Sequence, residues 1–383
     1  MAEIDFEELQ KKYDSYNYPL ARVLVGEDNI EEIKKITLVV TDVVVQVTST
    51  FKASIAEFTL LQSYSLSSGQ FFTKDIKKYI SMGTGISIYL GHGSSMTEVF
   101  KGFIAAVNFV HDSNLEDSSG IRITAMDVKG IMMANHYSKR LKANYYSDAV
   151  KEILDQQVYQ NLKNNGGITD ISITDTPDKQ ERGGGGGEQP DNRLEMVAES
   201  DYEFVIKAAK KFNYEFFTIG GNVVFRKAKA NTQELGNIVP HSTIISFDIG
   251  YDITGVVGQV VVRTLDIAKA SKVEVKKKNA NKFSLGSKAK PLISSQSYVY
   301  IDSAIESQKD AENRAAYILE ETSYRLGSLK MTLKGIPEMV PGRFIVLKDF
   351  GDGASNKFYI TDVTHEYNGL IYTTTIYGKA STF

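Results

Sequence analysis

Hydrophobic periodicity changes twice along these 383 residues, and that change limits the chain to strand-rich blocks flanking a helical middle. Apolar residues every second position suit a half-buried strand, and a 3.6-residue stripe suits an amphipathic helix. Lys34–Thr48 is rich in Val, Ile and Thr, which pack well on a pleated surface. Ser54–Leu61 and Ile86–Leu90 alternate, and Phe100–Val110 and Ile121–Met126 are further apolar-rich runs. Gly83, Gly85, Gly91 and Gly93 read as turns around the Ile86 strand. Residues 20–140 therefore predict a β-barrel or sandwich.

The middle follows the other period. Ser147 is placed to cap a helix whose stripe is Val150, Ile153, Leu154, Val158 and Leu162, stopped by Gly166-Gly167. Ser200-Asp-Tyr-Glu203 is a capping box, followed by the apolar face Phe204, Val205, Ala208, Ala209 and Phe212. Tyr214–Arg226 reads as two strands joined at Gly220-Gly221. The polar stretch Thr174–Asn192, with Gly183–Gly187, reads as a flexible surface loop.

Strand patterning then returns at Thr243–Phe247, Gly258–Leu265 and Ser297–Ile301, with basic Ser271–Pro291 as a projecting loop. A second capping box, Ser303-Ala-Ile-Glu306, predicts a helix over 303–327 with Ala304, Ala311, Ala315, Ile318, Leu319 and Leu326 inward. Four strands follow: Leu329–Lys334, Arg343–Leu347, Phe358–Tyr367 and Leu370–Tyr377. Pro341-Gly342, Gly351-Asp-Gly353 and Asn368-Gly369 supply their turns.

The bulk properties exclude more than they assign. There is no cysteine, hence no disulfide, thiolate nucleophile or Cys-based zinc site. A net charge of −3 argues against a general nucleic-acid surface, and Lys272, Lys276, Lys277, Lys278, Lys282, Lys288 and Lys290 read as a solvated cluster. The acidic N-terminus has no apolar core of a signal peptide, and no window has the roughly 18 apolar residues of a membrane span.

Catalytic patterns are equally scarce. His92, His111, His136, His241 and His365 show no metal-ligand spacing. His365 falls mid-strand and reads as a packed residue. Gly83-Thr-Gly85 and Gly91-His-Gly93 do not lead from strand into helix as phosphate loops do. Asp349-Phe-Gly351-Asp352 lacks both the rest of a kinase signature and a calcium-loop pattern, so it reads as a turn. Tyr13, Tyr16 and Tyr18 cluster, and Tyr298 and Tyr300 share a strand face, which suits either an interface or ordinary strands.

Several segments, in order, resemble the phage late control gene D protein family. They are Ile86-Ser-Ile-Tyr-Leu-Gly91, Val99-Phe100-Lys-Gly102-Phe-Ile104 and Ile123-Thr-Ala-Met-Asp127, then Ser200-Asp201-Tyr-Glu-Phe204 with Phe212-Asn213-Tyr214. Ser303–Gly327, Pro341-Gly342 and Tyr359-Ile-Thr-Asp-Val-Thr-His365 complete the set, which spans most of residues 80–378. The resemblance implies the hub of a contractile tail, with the fold of the N-terminal part of VgrG spike proteins. It implies a homotrimer adapting a hexameric tail tube to a separate trimeric spike protein, alongside other baseplate proteins.

The expected fold is therefore α+β and β-dominated, with two tube-protein-like β-barrel domains and an α/β middle region. The boundaries are 1–143, 144–240 with a flexible loop over 174–192, and 241–383 with a helix over 303–327. The expected role is structural and non-enzymatic, without cofactor, metal, nucleic-acid specificity or membrane span. Assembly into a virion or tail-like particle follows. A tail-associated peptidoglycan hydrolase and a receptor-binding tail module are the alternatives. Motif positions are Gly102, Asp127, Ser200, Asp201, Phe204, Ser303, Pro341, Gly342, Asn368 and Gly369.

Overall fold

In a computed structural model, all residues are described except 1–3, 27, 31–38, 62–63, 72–75, 111–119, 183–192, 267–270, 281–285, 303–304 and 306. Strand outweighs helix, 46% against 22%, so the chain is β-dominated, with large antiparallel sheets.

Both strand blocks contribute to one 13-stranded sheet. Its order begins at Ile244–Tyr251 and passes through Gly327–Lys334, Tyr372–Ala380 and Lys357–Tyr367. It crosses into the first block at Val39–Thr48 and continues through Ile55–Leu61, Gly120–Met126, Ser95–Val110 and Gly85–His92. It ends at Pro19–Val25 and Asp28–Asn29.

Lys357–Tyr367 is the seam. Its first residues pair with Phe344–Leu347, at Phe344↔Tyr359. Its remainder pairs antiparallel with Val39–Thr48, from Asp362↔Thr48 to Tyr367↔Val43. Just past that pairing, the Ser49 amide donates to the Thr361 carbonyl at 2.8 Å. Val39–Thr48 keeps period two on either side of an irregularity between Thr41 and Val44, where Asp42 has φ 51°. The extra residue of such a bulge shifts the phase. Val40 is buried before it and Val43, Val45 and Val47 after it. These valines join Val363, Ile360 and Ile376 in a core shared by both blocks.

The middle region has its own core. Helices Tyr146–Leu154, Gln157–Asn164 and Asp201–Phe212 pack around a sheet of Asp170–Ile173, Asn222–Lys227 and Tyr214–Ile219. Phe103, Val128, Met132 and Leu141 also belong to it. The predicted hairpin and Ser200 capping box are present. The predicted single helix from Ser147 is two helices, broken at Asp155-Gln156. Ser147 is not its cap: it is a buried helical residue whose amide donates to Thr176 Oγ1 at 3.0 Å. Tyr159, rather than Val158, therefore faces the core, and Val158 is exposed.

Residues 174–192 are not one loose loop throughout. Thr176 is buried, Pro177–Arg182 is helical, and Asp178 accepts from the Tyr146 amide at 3.0 Å. Gly183–Gly187 lies outside the described residues.

Two further expectations change in the last block. Ser271–Lys278 is a strand, not a loop; it pairs with Gln259–Asp266, which pairs parallel with Ser297–Ile301. Val260, Val262, Val273 and Val275 pack beneath Ala311, Ala315, Ile318 and Leu319 of the helix Gln308–Ser323. That helix is shorter than 303–327. Its cap is Ser307, whose side chain accepts from the Asp310 amide. Ser303 lies outside the described residues, and Gly327 opens a strand.

Because the two blocks share a sheet and a core, we expect urea unfolding followed by far-UV circular dichroism and by tyrosine fluorescence to coincide. Val363→Ala should lower stability by about 2 kcal/mol in that single transition. Separate transitions for the two probes would contradict the shared core.

Candidate functional site

Several of the motif residues tie one layer to another. Gly102 lies in Ser95–Val110, and a Cβ there would meet the Met126 carbonyl oxygen at 2.2 Å. Only glycine permits that approach. Asp127 is buried, accepts from the Ser54 amide at 3.0 Å and caps the helix Val128–Met132 through the Lys129 amide. Lys129 is also buried, and its ammonium donates to the carbonyls of Thr50 and Lys52. Burial pushes Asp127 up and Lys129 down, each partly offset by the other's charge. The pair holds the turn between Val39–Thr48 and Ile55–Leu61.

Ser200 and Glu203 satisfy each other's amides, and those hydrogen bonds hold the Glu203 carboxyl below its usual range. Asp201 has no exposed surface. Its carboxylate accepts from the Tyr137 hydroxyl, the Tyr159 hydroxyl at 2.6 Å and the Asn135 amide at 2.6 Å. Burial, reinforced by Asp201, pushes Tyr137 up to about 12 and Tyr159 further. One carboxylate thus joins the segment at 135–137, at the end of the first block, to two helices of the middle region. Phe204 is buried and stacks on Tyr146 at 5.9 Å.

Pro341-Gly342 is where the middle region meets the seam. Gly342 has φ 80°; its amide donates to the Ile360 carbonyl at 2.9 Å, and its carbonyl accepts from Arg226 at 2.8 Å. Arg226 also bonds Glu215 at 2.6 Å, and Glu215 accepts from the buried Tyr359 hydroxyl. Asn368-Gly369 forms a hairpin turn whose loop is four residues, since Tyr367 pairs with Tyr372. The Asn368 side chain accepts from the amides of Leu370 and Ile371.

An aromatic stack that no motif indicated closes the junction with the N-terminal helix Phe6–Lys12. His92 stacks on Tyr372 at 5.3 Å and meets the edge of Tyr13 at 5.8 Å. The Tyr372 hydroxyl lies 2.9 Å from His365 Nδ1, and Thr374 Oγ1 lies 3.0 Å from it. Tyr13 and Lys12 both donate to Glu338 at 2.6 Å. The sequence signals were the cluster of Tyr13, Tyr16 and Tyr18, of which Tyr18 is exposed, and the mid-strand His365. Burial keeps His365 well below the usual imidazole range, at about 3, and lowers His92 as well. His365 is thus a packed strand residue, as its position predicts.

Among the described residues no group of three or more His, Asp or Glu is placed to hold a metal. No described helix is long and apolar enough to cross a membrane. A cleft of about 580 Å³ between Asp201–Phe212 and Gln308–Ser323 is lined by Phe51, Tyr202, Lys210 and Arg314.

The family described as the Alg8 N-terminal domain matches residues 21–369. The chain belongs to that family. It is not the late control gene D family that residues 80–378 resemble. No curated protein sequence matches the chain. Among solved structures, the prophage MuSo2 43 kDa tail protein from Shewanella oneidensis is 11% identical with a TM-score of 0.64, covering 94% of this chain and 98% of its own. A tail protein from Neisseria meningitidis is 12% identical with a TM-score of 0.63, covering 95% and 97%. The Francisella PdpA–VgrG complex is 11% identical with a TM-score of 0.53, covering 99% of this chain and 61% of that one. At such identities the likeness is one of fold: the chain has the fold of phage tail proteins and of type VI secretion VgrG-related proteins.

Two outcomes follow. Asp201→Ala should cost about 3 kcal/mol, because buried hydroxyl and amide donors lose their acceptor; denaturant titration reads it. Unfolded His365 binds a proton below about 6.5, but the folded ring does so only near 3. Its contribution to stability is therefore intact above 6.5 and falls by up to about 1.4 kcal/mol per pH unit below that. His365→Gln should flatten the slope between those values.

Proposed function

We propose that this chain is a structural hub of the baseplate in a contractile tail or related injection system, acting as a homotrimer. Its work would be to adapt a hexameric tail tube to a separate trimeric spike, alongside other baseplate proteins and without chemistry of its own. Residues 1–143 and 241–383 would be its two tube-like units, with 144–240 projecting. The carrying observation is full-length similarity of fold to tail proteins.

The sheet supports this reading. Its two ends lie far apart in sequence, and both are under-paired among the described residues. At one end Ile244–Tyr251 pairs only with Gly327–Lys334, with Ile245 56% and Phe247 51% exposed. At the other, Pro19–Val25 has Asp28–Asn29 against its last two residues only. A contact between unlike edges of neighbouring copies is head-to-tail, and three copies can close such a contact into a ring.

Native mass spectrometry of the assembled protein should give three times the 42.5 kDa chain. Charging the edge with Ile245→Lys and Phe247→Lys should shift it to monomer without loss of folding, since lysine on an edge strand blocks pairing. A monomer from the unaltered chain in assembled tails would refute the hub reading.

A further inference from the structure

The small sheet of Ser271–Lys278, Gln259–Asp266 and Ser297–Ile301 has two edges of opposite character. Ser271–Lys278 carries Lys272, Lys276, Lys277 and Lys278, all exposed. Proteins protect an open edge in this way, because lysine opposes strand addition. The other edge, Ser297–Ile301, has no charged residue. It exposes Tyr298 at 45%, Val299 at 46% and Ile301 at 74%, and among the described residues it pairs only with Gln259–Asp266. Leu292, 60% exposed, lies on the helix Gly286–Ser294 just before it. An apolar, unguarded edge next to a guarded one is a liability unless something covers it.

Charge states what that cover must carry. Arg263, Lys272 and Lys276 converge on Glu274, which they pull down to about 2, so this one acid serves three cations. Lys277, Lys278, Lys288 and Lys290 form no ion pair among the described residues. The lysines at 288 and 290 lie on the helix that leads into the bare edge. This concentration of positive charge sits in a chain whose net charge is −3.

We propose that Ser297–Ile301 is a docking edge for an extended acidic segment of a partner protein, which joins the sheet as a fourth strand. Backbone hydrogen bonds would give affinity, alternate apolar side chains would lie over Val299 and Ile301, and carboxylates would meet Lys288 and Lys290 on the helix that leads into this edge. A nucleic acid fits less well. The edge itself holds no cation to meet phosphates, and its exposed aliphatic groups would face a polyanion. This surface is distinct from the two ends of the large sheet, so it does not depend on ring formation.

The test uses the full chain and a fluorescein-labelled peptide of alternating Glu and Val, read by anisotropy. Binding is expected, weakened by about tenfold or more in the Lys288→Glu, Lys290→Glu variant, and retained both in the matching Lys→Arg variant and in Lys277→Glu, Lys278→Glu on the far edge. Ile301→Thr should weaken it severalfold, with an unchanged circular dichroism spectrum confirming that the sheet persists. Equal binding of a peptide with the same charge but proline at alternate positions would overturn the proposal, since proline cannot add as a strand. Equal binding of a short oligothymidylate would overturn it in favour of a plain polyanion surface. Self-association lost in Ile301→Lys but kept in Ile245→Lys would overturn it in favour of a second copy of this chain. No binding at all would also overturn it.

Discussion

The antiparallel pairing of Val39–Thr48 with Lys357–Tyr367 is the interaction on which the rest of the molecule depends. It joins strands more than three hundred residues apart, so closing it is entropically costly and must be offset by burial on both sides. Val43, Val45, Val47, Ile360 and Val363 supply that burial at roughly 1.5–3 kcal/mol for each fully buried side chain. The bulge at Asp42 sets the phase that turns these valines inward. Shifted by one residue, the strand would present its polar face to the core.

Around this seam, buried polar groups decide how the other layers attach. Asp127 and Lys129 hold the turn that follows Val39–Thr48. Tyr359, Glu215, Arg226 and Gly342 form a chain of hydrogen bonds from the seam strand into the middle region. His365, Tyr372 and His92 run from the same strand toward the N-terminal helix. Each chain contains a group that is expensive to bury alone, so each is strong only when its partners are all in place.

Local signals were legible where they acted locally. The Ser200 capping box, the Gly220-Gly221 hairpin, the Asn368-Gly369 turn and most strands stand where propensity and period put them. The failures share one cause. Ser271–Lys278 looked like a solvated loop because its lysines are real and exposed; its inward Val273 and Val275 count only once a helix lies over them. The helix expected over 303–327 runs from Gln308 to Ser323 behind a Ser307 cap, and the chain that follows turns at Gly327 into a strand of the large sheet. Val158 and Tyr159 likewise exchange places because a break at Asp155-Gln156 rotates the second helix.

By itself the sequence determined the alternation of strand, helix and strand blocks, most turn positions and the lack of familiar catalytic patterns, since periodicity and capping are properties of neighbouring residues; Gly85 and Gly91, read as turns, instead lie inside the strand Gly85–His92. The tertiary structure alone decided that the two strand blocks merge into one sheet, that Asp201 gathers Tyr137 and Tyr159, and that one edge of the small sheet has no strand against it among the described residues. Register between distant strands depends on how whole faces match across space, and no local pattern encodes that match.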